Sequence, residues 1–193
     1  MTDLPTPAAS GARPATVYLI VGLPGAGKTT YAKQLEVRES ALRLTPDEWQ
    51  IALFAGGNPP DLQDLVEGKL VQVGVRAAEL GINVVFDFGL WGRDERSALR
   101  WIAAAVGARS RVVYLPIDPD EQRRRVATRF ESTPHHTFPM SDAELEQWRT
   151  QFQVPDEEEL RGAAIPPVPP GHRTWSQWAS RRWPSLPDQY RVS

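Results

Sequence analysis

Apolar positions along the chain fall into short runs separated by stretches of helical period. The runs Thr16–Val21, Leu42–Leu44, Asn83–Phe88 and Arg111–Pro116 read as strands. The third and fourth are nearly continuous in apolar residues, the pattern of parallel strands covered on both faces. Between them Leu62, Leu65, Val66, Leu70, Val73, Ala77 and Leu80 recur at helical spacing and stop at Gly81, a C-cap candidate. Leu99, Ile102, Ala103 and Val106 do the same before Gly107. Thr45-Pro46-Asp47-Glu48 and Asp118-Pro119-Asp120-Glu121 each combine a capping residue, proline at the first helical position and glutamate at the third; Ser141-Asp142-Ala143-Glu144 repeats the device without proline. Strands alternating with helices predict an α/β three-layer sandwich around a parallel sheet, with right-handed crossovers and ligands at the carboxyl ends of the strands.

The pattern also sets boundaries. Residues 1–15, rich in Pro, Ala, Thr and Gly without apolar period, read as a disordered leader. Residues 16–152 carry the domain. Residues 153–193 form a Pro/Trp-rich extension, with acidic Asp156–Glu159, a proline-dominated stretch from Ile165 to Gly171, and Trp175, Trp178 and Trp183. Four of the seven tryptophans lie after residue 147, too many for a free tail, so the extension is expected to dock on the sheet or over the site.

Composition narrows the classes. A net charge of −2 argues against a broad nucleic-acid or anionic-membrane surface, though not against a local basic pocket. The absence of cysteine removes disulfides, thiolate nucleophiles and cysteine-zinc sites. No apolar run approaches the ~20 residues of a membrane span, and the expected location is the cytoplasm.

The chemistry begins where the first strand meets Gly22-Leu23-Pro24-Gly25-Ala26-Gly27-Lys28-Thr29, a phosphate-binding P-loop between a strand and a helix running from Lys28 to about Glu36. Gly22, Pro24, Gly25, Ala26 and Gly27 form a loop whose glycines bring backbone N–H groups close to phosphate oxygens. The helix N-terminus adds partial positive charge. Lys28 is expected to reach the β- and γ-phosphates of ATP and the Thr29 hydroxyl to ligate Mg²⁺, while Thr30 follows where a hydroxyl can meet an α-phosphate. No guanine-recognition signature of Asn/Thr-Lys-x-Asp type is apparent, which favours ATP.

Further groups sit at the same end of the predicted sheet. Asp47, in the first turn of the helix after the second strand, reads as a general base or orienting carboxylate for an acceptor hydroxyl, or as a carboxylate favouring the helix dipole; Glu48 reads as a capping-box partner. Asp87 ends an apolar strand in the Walker B manner and is expected to hold Mg²⁺. Phe88 and Trp91 follow, as stacking platforms or as packing residues. Arg125 and Arg129 share a helix face at i, i+4 and read as lid arginines, with the lid near 125–140, or as part of a solvated basic face. His135 and His136, without cysteine or helical spacing, give zinc no support.

The order of these parts resembles the small P-loop kinase group: the kinase domain of polynucleotide 5′-kinase, chloramphenicol phosphotransferase, the zeta toxins and bacterial AAA-type ATP-binding proteins of that group. The resemblance spans about residues 16–152. It implies transfer of the γ-phosphate of Mg-ATP to a hydroxyl of a small-molecule or nucleotide-like acceptor, with Asp47 as base and Arg125 and Arg129 as lid. Polynucleotide kinases carry Asp-x-x-Arg; here Asp47 is followed by Glu48, Trp49 and Gln50, with Arg93 and Arg96 as the candidate substitutes and a polynucleotide acceptor not favoured. Two other readings stand beside the kinase. One is an ATP-driven switch that uses exposed tryptophans of the extension to hold a protein partner; the other is a zeta-like toxin acting on an amino sugar nucleotide.

Overall fold

The structure, a computed structural model, describes residues 13–54, 60–132 and 140–186. The expectations for residues 1–12, for His135 and His136 in the lid, and for the last residues of the extension lie outside that set. The elements run β1 (Thr16–Val21), α1 (Lys28–Glu39), β2 (Leu42–Leu44), α2 (Pro46–Leu53), α3 (Pro60–Glu79), β3 (Val84–Gly89), α4 (Arg93–Ala105), β4 (Arg109–Tyr114), α5 (Pro119–Ser132), α6 (Asp142–Gln151), α7 (Glu157–Leu160) and α8 (Trp175–Arg182). All strand pairings are parallel, in the order β2-β3-β1-β4. Parallel neighbours need crossover helices, and these cover both faces as an α/β three-layer sandwich.

Alternation along the strands sorts the core. Val17, Leu19, Val21, Val84 and Phe86 face α3, α4 and α8, while Tyr18, Ile20 and Val85 face Ala32 and Leu35 of α1. Gly74 of α3 packs where an added Cβ would lie 2.5 Å from Phe86 Cζ, so the helix approaches the sheet more closely than any side chain permits.

Three details differ from the sequence reading. β3 and β4 begin and end one to two residues away from the apolar runs. β4 is an edge strand, so only Val112 in it is fully buried while Arg109 and Arg111 face outward. On α3 the covered stripe is Glu67, Leu70, Val71, Val75, Ala77 and Ala78, leaving Leu65, Val73 and Leu80 exposed.

Glu67 lies in that stripe because the extension meets it there. Trp183 is wholly buried and its Nε1 donates to Glu67 Oε2 at 3.0 Å. Arg182 donates to Glu67 (3.0 Å), to Glu95 (2.7 Å) and to Asp64. Burial pushes the Glu67 carboxyl above its ordinary value, and Arg182 opposes the shift. Trp178 stands edge-on between Trp175 and Trp183, and Trp175 Nε1 donates to the Pro166 carbonyl, fixing the proline stretch. Trp175 and Trp183 therefore belong to the main core and offer no aromatic surface to a partner. No helix among the described residues is long and apolar enough to cross a membrane.

Candidate active site

The loop between β1 and α1 is shaped from both sides. Gly25 (φ 81°) and Gly27 (φ 86°) adopt the left-handed region that disfavours a Cβ, and a Cβ on Gly22 would stand 2.7 Å from the Leu115 carbonyl. Ala26 N–H donates to Leu23 at 3.1 Å, closing the turn. From outside, Gln122 of α5 donates to the Pro24 carbonyl (3.1 Å) and Arg125 to the Gly25 carbonyl (3.3 Å). Gly27 caps α1 without a side chain, and the first turn holds no acidic residue, so the helix presents an unneutralised positive end. Thr29 and Thr30 lie exposed at that end.

Lys28 donates from Nζ to the Leu23 carbonyl at 3.1 Å. Burial holds its ammonium below the ordinary lysine value; Asp87 and Asp47 oppose that shift and Arg129 adds to it. Asp47, Asp87 and Arg129, drawn from three different elements, thus lie within electrostatic reach of Lys28. Asp87 is 6% exposed at the end of β3. Burial raises its carboxyl, while Lys28, a hydrogen bond from Thr29 and Arg43 lower it, and Asp47 raises it further. Asp47 itself is exposed in the first turn of α2.

Arg125 donates from Nε to Glu121 at 2.5 Å as well as to the loop, half exposed; Arg129 lies one turn further along α5. Arg123 and Arg124 are paired with Asp120 and Glu121 within their own helix, which leaves Arg125 as the arginine of that run bonded to the P-loop.

Several secondary expectations are corrected. Arg96 is no substitute phosphate contact: it is fully buried, donating to Glu159 at 2.6 and 3.0 Å and to the Leu90 and Trp91 carbonyls. Arg93 lies 3.1 Å from Asp156. Trp91, half-buried, packs against Trp148 (5.7 Å between centroids) and Phe88, half-buried, against Phe86 (5.0 Å), contacts that accord with the packing alternative. Glu48 does not close a capping box, since the Thr45 side chain makes no cap bond; it accepts from Arg43 at 2.6 Å instead.

Arg43 went unnoticed in the sequence. Its side chain, 7% exposed, contacts Asp87 Oδ2 (3.3 Å), Glu48 Oε1 (2.6 Å) and Glu36 Oε2 (3.4 Å). The available signal was an arginine in the middle of the apolar triplet Leu42-Arg43-Leu44, where a charge persists only when it is paired.

Among the described residues no cluster of three or more His, Cys, Asp or Glu side chains could cage a metal alone. Magnesium does not require one, since it takes one or two protein oxygens beside phosphate oxygens and water. The Thr29 hydroxyl beside the Asp87 carboxylate fits that donor set.

A glycine loop running from a parallel strand into a helix, with a half-buried lysine and the strand-end carboxylate Asp87 at its mouth, defines a P-loop nucleotide-binding protein. Within that class the chain belongs to the AAA domain family, whose model matches residues 17–155. It is 31% identical over 125 residues to an adenylate kinase of Sphingopyxis alaskensis, covering 58% of this chain and 57% of that protein. The chain therefore spans little more than half the length of that relative. Two solved structures share the fold at lower identity. One is Chaetomium thermophilum Kti12 in complex with ADP-AlF3 (17% identity, TM-score 0.57, covering 77% of this chain and 85% of that one). The other is a gluconokinase from Sinorhizobium meliloti 1021 (16% identity, TM-score 0.52, covering 91% and 93%).

Proposed function

We propose that the protein is a phosphotransferase that moves the γ-phosphate of ATP to a hydroxyl of a small-molecule acceptor. The observation that carries this reading is the placement of an exposed carboxylate, Asp47, within electrostatic reach of the P-loop lysine Lys28. A protein that only bound nucleotide would need Lys28 and the loop; activating an acceptor needs a carboxylate opposite them. The names of the relatives, an adenylate kinase and a gluconokinase, support phosphoryl transfer as the reaction.

In this reading the N–H groups of the loop from Gly22 to Gly27 and the start of α1 cradle the phosphates, and Thr30 lies next to them. Lys28, Arg125 and Arg129 spread positive charge over the transferring group. Thr29 and Asp87 would hold Mg²⁺, which when bound neutralises charge on the phosphate oxygens. Asp47 accepts the hydroxyl proton as the acceptor oxygen bonds to the γ-phosphorus and the bond from that phosphorus to the ADP oxygen breaks. Arg43 keeps the Asp87 carboxylate and Glu48 in place from behind.

The test is phosphoryl transfer from labelled ATP, with nucleotide affinity measured alongside. Lys28→Ala should lose both. Asp47→Ala should bind ATP as the wild type does and transfer roughly 10²–10⁴-fold more slowly, the range of a lost general base. Transfer at the wild-type rate in Asp47→Ala sinks the assignment.

A further inference from the structure

With Asp47 as the group that activates the acceptor, the acceptor side of the site has a chemical character of its own. Along α2, Asp47 is followed one helical turn later by Gln50, so the two are neighbours on the helix, Asp47 exposed and Gln50 turned inward. Gln50 is 2% exposed, and its Nε2 has no hydrogen-bond partner. A buried amide donor without an acceptor is unfavourable and uncommon in folded proteins. Elsewhere on α2, Trp49 (46%) and Leu53 (62%) are exposed, with Glu48 exposed beside them.

The cations near this helix are committed elsewhere. Arg43 is clasped by Glu36, Glu48 and Asp87. Arg93 pairs with Asp156 and Arg96 with Glu159. Lys28 and Arg125 bond the P-loop, and Arg129 lies by Lys28, on the triphosphate side. Beside Asp47, α2 offers Glu48, a neutral amide and an indole. An acceptor bearing phosphate or carboxylate would find no uncommitted cation among these groups and would face like charge.

We infer, resting on the kinase reading, that the acceptor is a hydroxyl compound without an anionic group, its reacting hydroxyl at Asp47 and a second oxygen received by the Gln50 amide. Gln50 is then the residue setting this preference. Binding converts the unpaired donor into a hydrogen bond through a rotamer change of one side chain, a common event at ligand contacts. Such an acceptor differs in kind from adenylate, which carries a phosphate.

The experiment uses the full chain, labelled ATP and a deproteinised extract of cell metabolites split by anion exchange at neutral pH. One portion is the flow-through of neutral and cationic compounds; the other is the retained anions. Label should enter compounds of the flow-through at least about tenfold more than the retained portion. Gln50→Leu should then raise the acceptor KM roughly threefold to tenfold, the loss of one neutral hydrogen bond, with ATP affinity unchanged and Tm unchanged or higher. A merely structural glutamine would not separate those readouts. Label confined to the retained anions overturns the inference and leaves the kinase reading intact. Label in neither portion, with ATP bound, overturns both. Wild-type KM in Gln50→Leu removes Gln50 from the role. The fractionation needs no variant, so misfolding of Gln50→Leu does not shelter the inference.

Discussion

Removing Glu159 tests how the extension supports the loop that follows Asp87. Arg96 is 0% and Glu159 3% exposed at the side chain, and the pair is bidentate at 2.6 and 3.0 Å. The third nitrogen of Arg96 donates to the Leu90 and Trp91 carbonyls, where Leu90 itself is held at φ 45°. Glu159→Ala leaves a guanidinium buried without its counter-ion, which costs about 3–5 kcal/mol in comparable pairs. At about 2–4 °C per kcal/mol for a domain of this size, Tm should fall by roughly 6–20 °C. The double variant Arg96→Met with Glu159→Leu removes both charges and should recover most of that loss, because an apolar pair of similar volume needs no compensation. Its unmet carbonyl at Leu90 sets the residual deficit at about 1–3 kcal/mol, while the Trp91 carbonyl keeps its bond from the Gln153 N–H. Chemical and thermal unfolding of the three proteins reads this directly. A Glu159→Ala protein within about 1 kcal/mol of wild type would refute the account, as would a double variant less stable than the single one.

Other outcomes follow from the same geometry. Gly74→Ala should destabilise by about 1–3 kcal/mol despite the better helix propensity of alanine, because its methyl would meet Phe86 at 2.5 Å; denaturant titration decides it. Trp183→Ala should cost about 3–5 kcal/mol through the cavity and the lost bond to Glu67, seen as an earlier unfolding midpoint. Burial raises the Asp87 carboxyl, so the stability it contributes is fully present below the unfolded value near 3.8 and is lost as pH rises through the folded value. Asp87→Asn should therefore raise the Tm of the nucleotide-free protein at pH 7 and converge with wild type in acid, a comparison made by thermal scans across pH.

How much was legible in the sequence depended on whether the signal was local. The P-loop, β1 and β2 were read to the residue because the glycine spacing and the apolar runs are contiguous. The Ser141 cap was read equally well: its hydroxyl accepts from Glu144 N–H, and Glu144 returns a bond to the Ser141 backbone. The face of α3 was misjudged because Glu67 looks like a solvent residue until Arg182 and Trp183, more than a hundred positions away, arrive to pair it. The same distance hid the use of Arg96, whose partner Glu159 lies in a stretch that reads as an acidic linker. Thr45 and Glu48 matched a capping pattern, but Arg43 two residues upstream of Thr45 offered the glutamate a charged partner in place of a backbone N–H. Asp47, Asp87, Lys28 and Arg129 were each visible; that the other three lie within electrostatic reach of Lys28 depends on the sheet order, which periodicity alone does not fix.

The placement of Trp183 also governs when the domain finishes folding. Synthesis adds about 5–20 residues per second from the N-terminus, so β1 to β4 leave the ribosome seconds before α8 does. Until then α3 shows water an open apolar face holding the Glu67 carboxylate, bonded within its helix to Gln63 but lacking its counter-ion, and Arg182 and Trp183 seal that face only when they emerge. A nascent or truncated chain lacking α8 thus exposes the apolar surface that Trp183 covers, the kind of surface chaperones and proteases read.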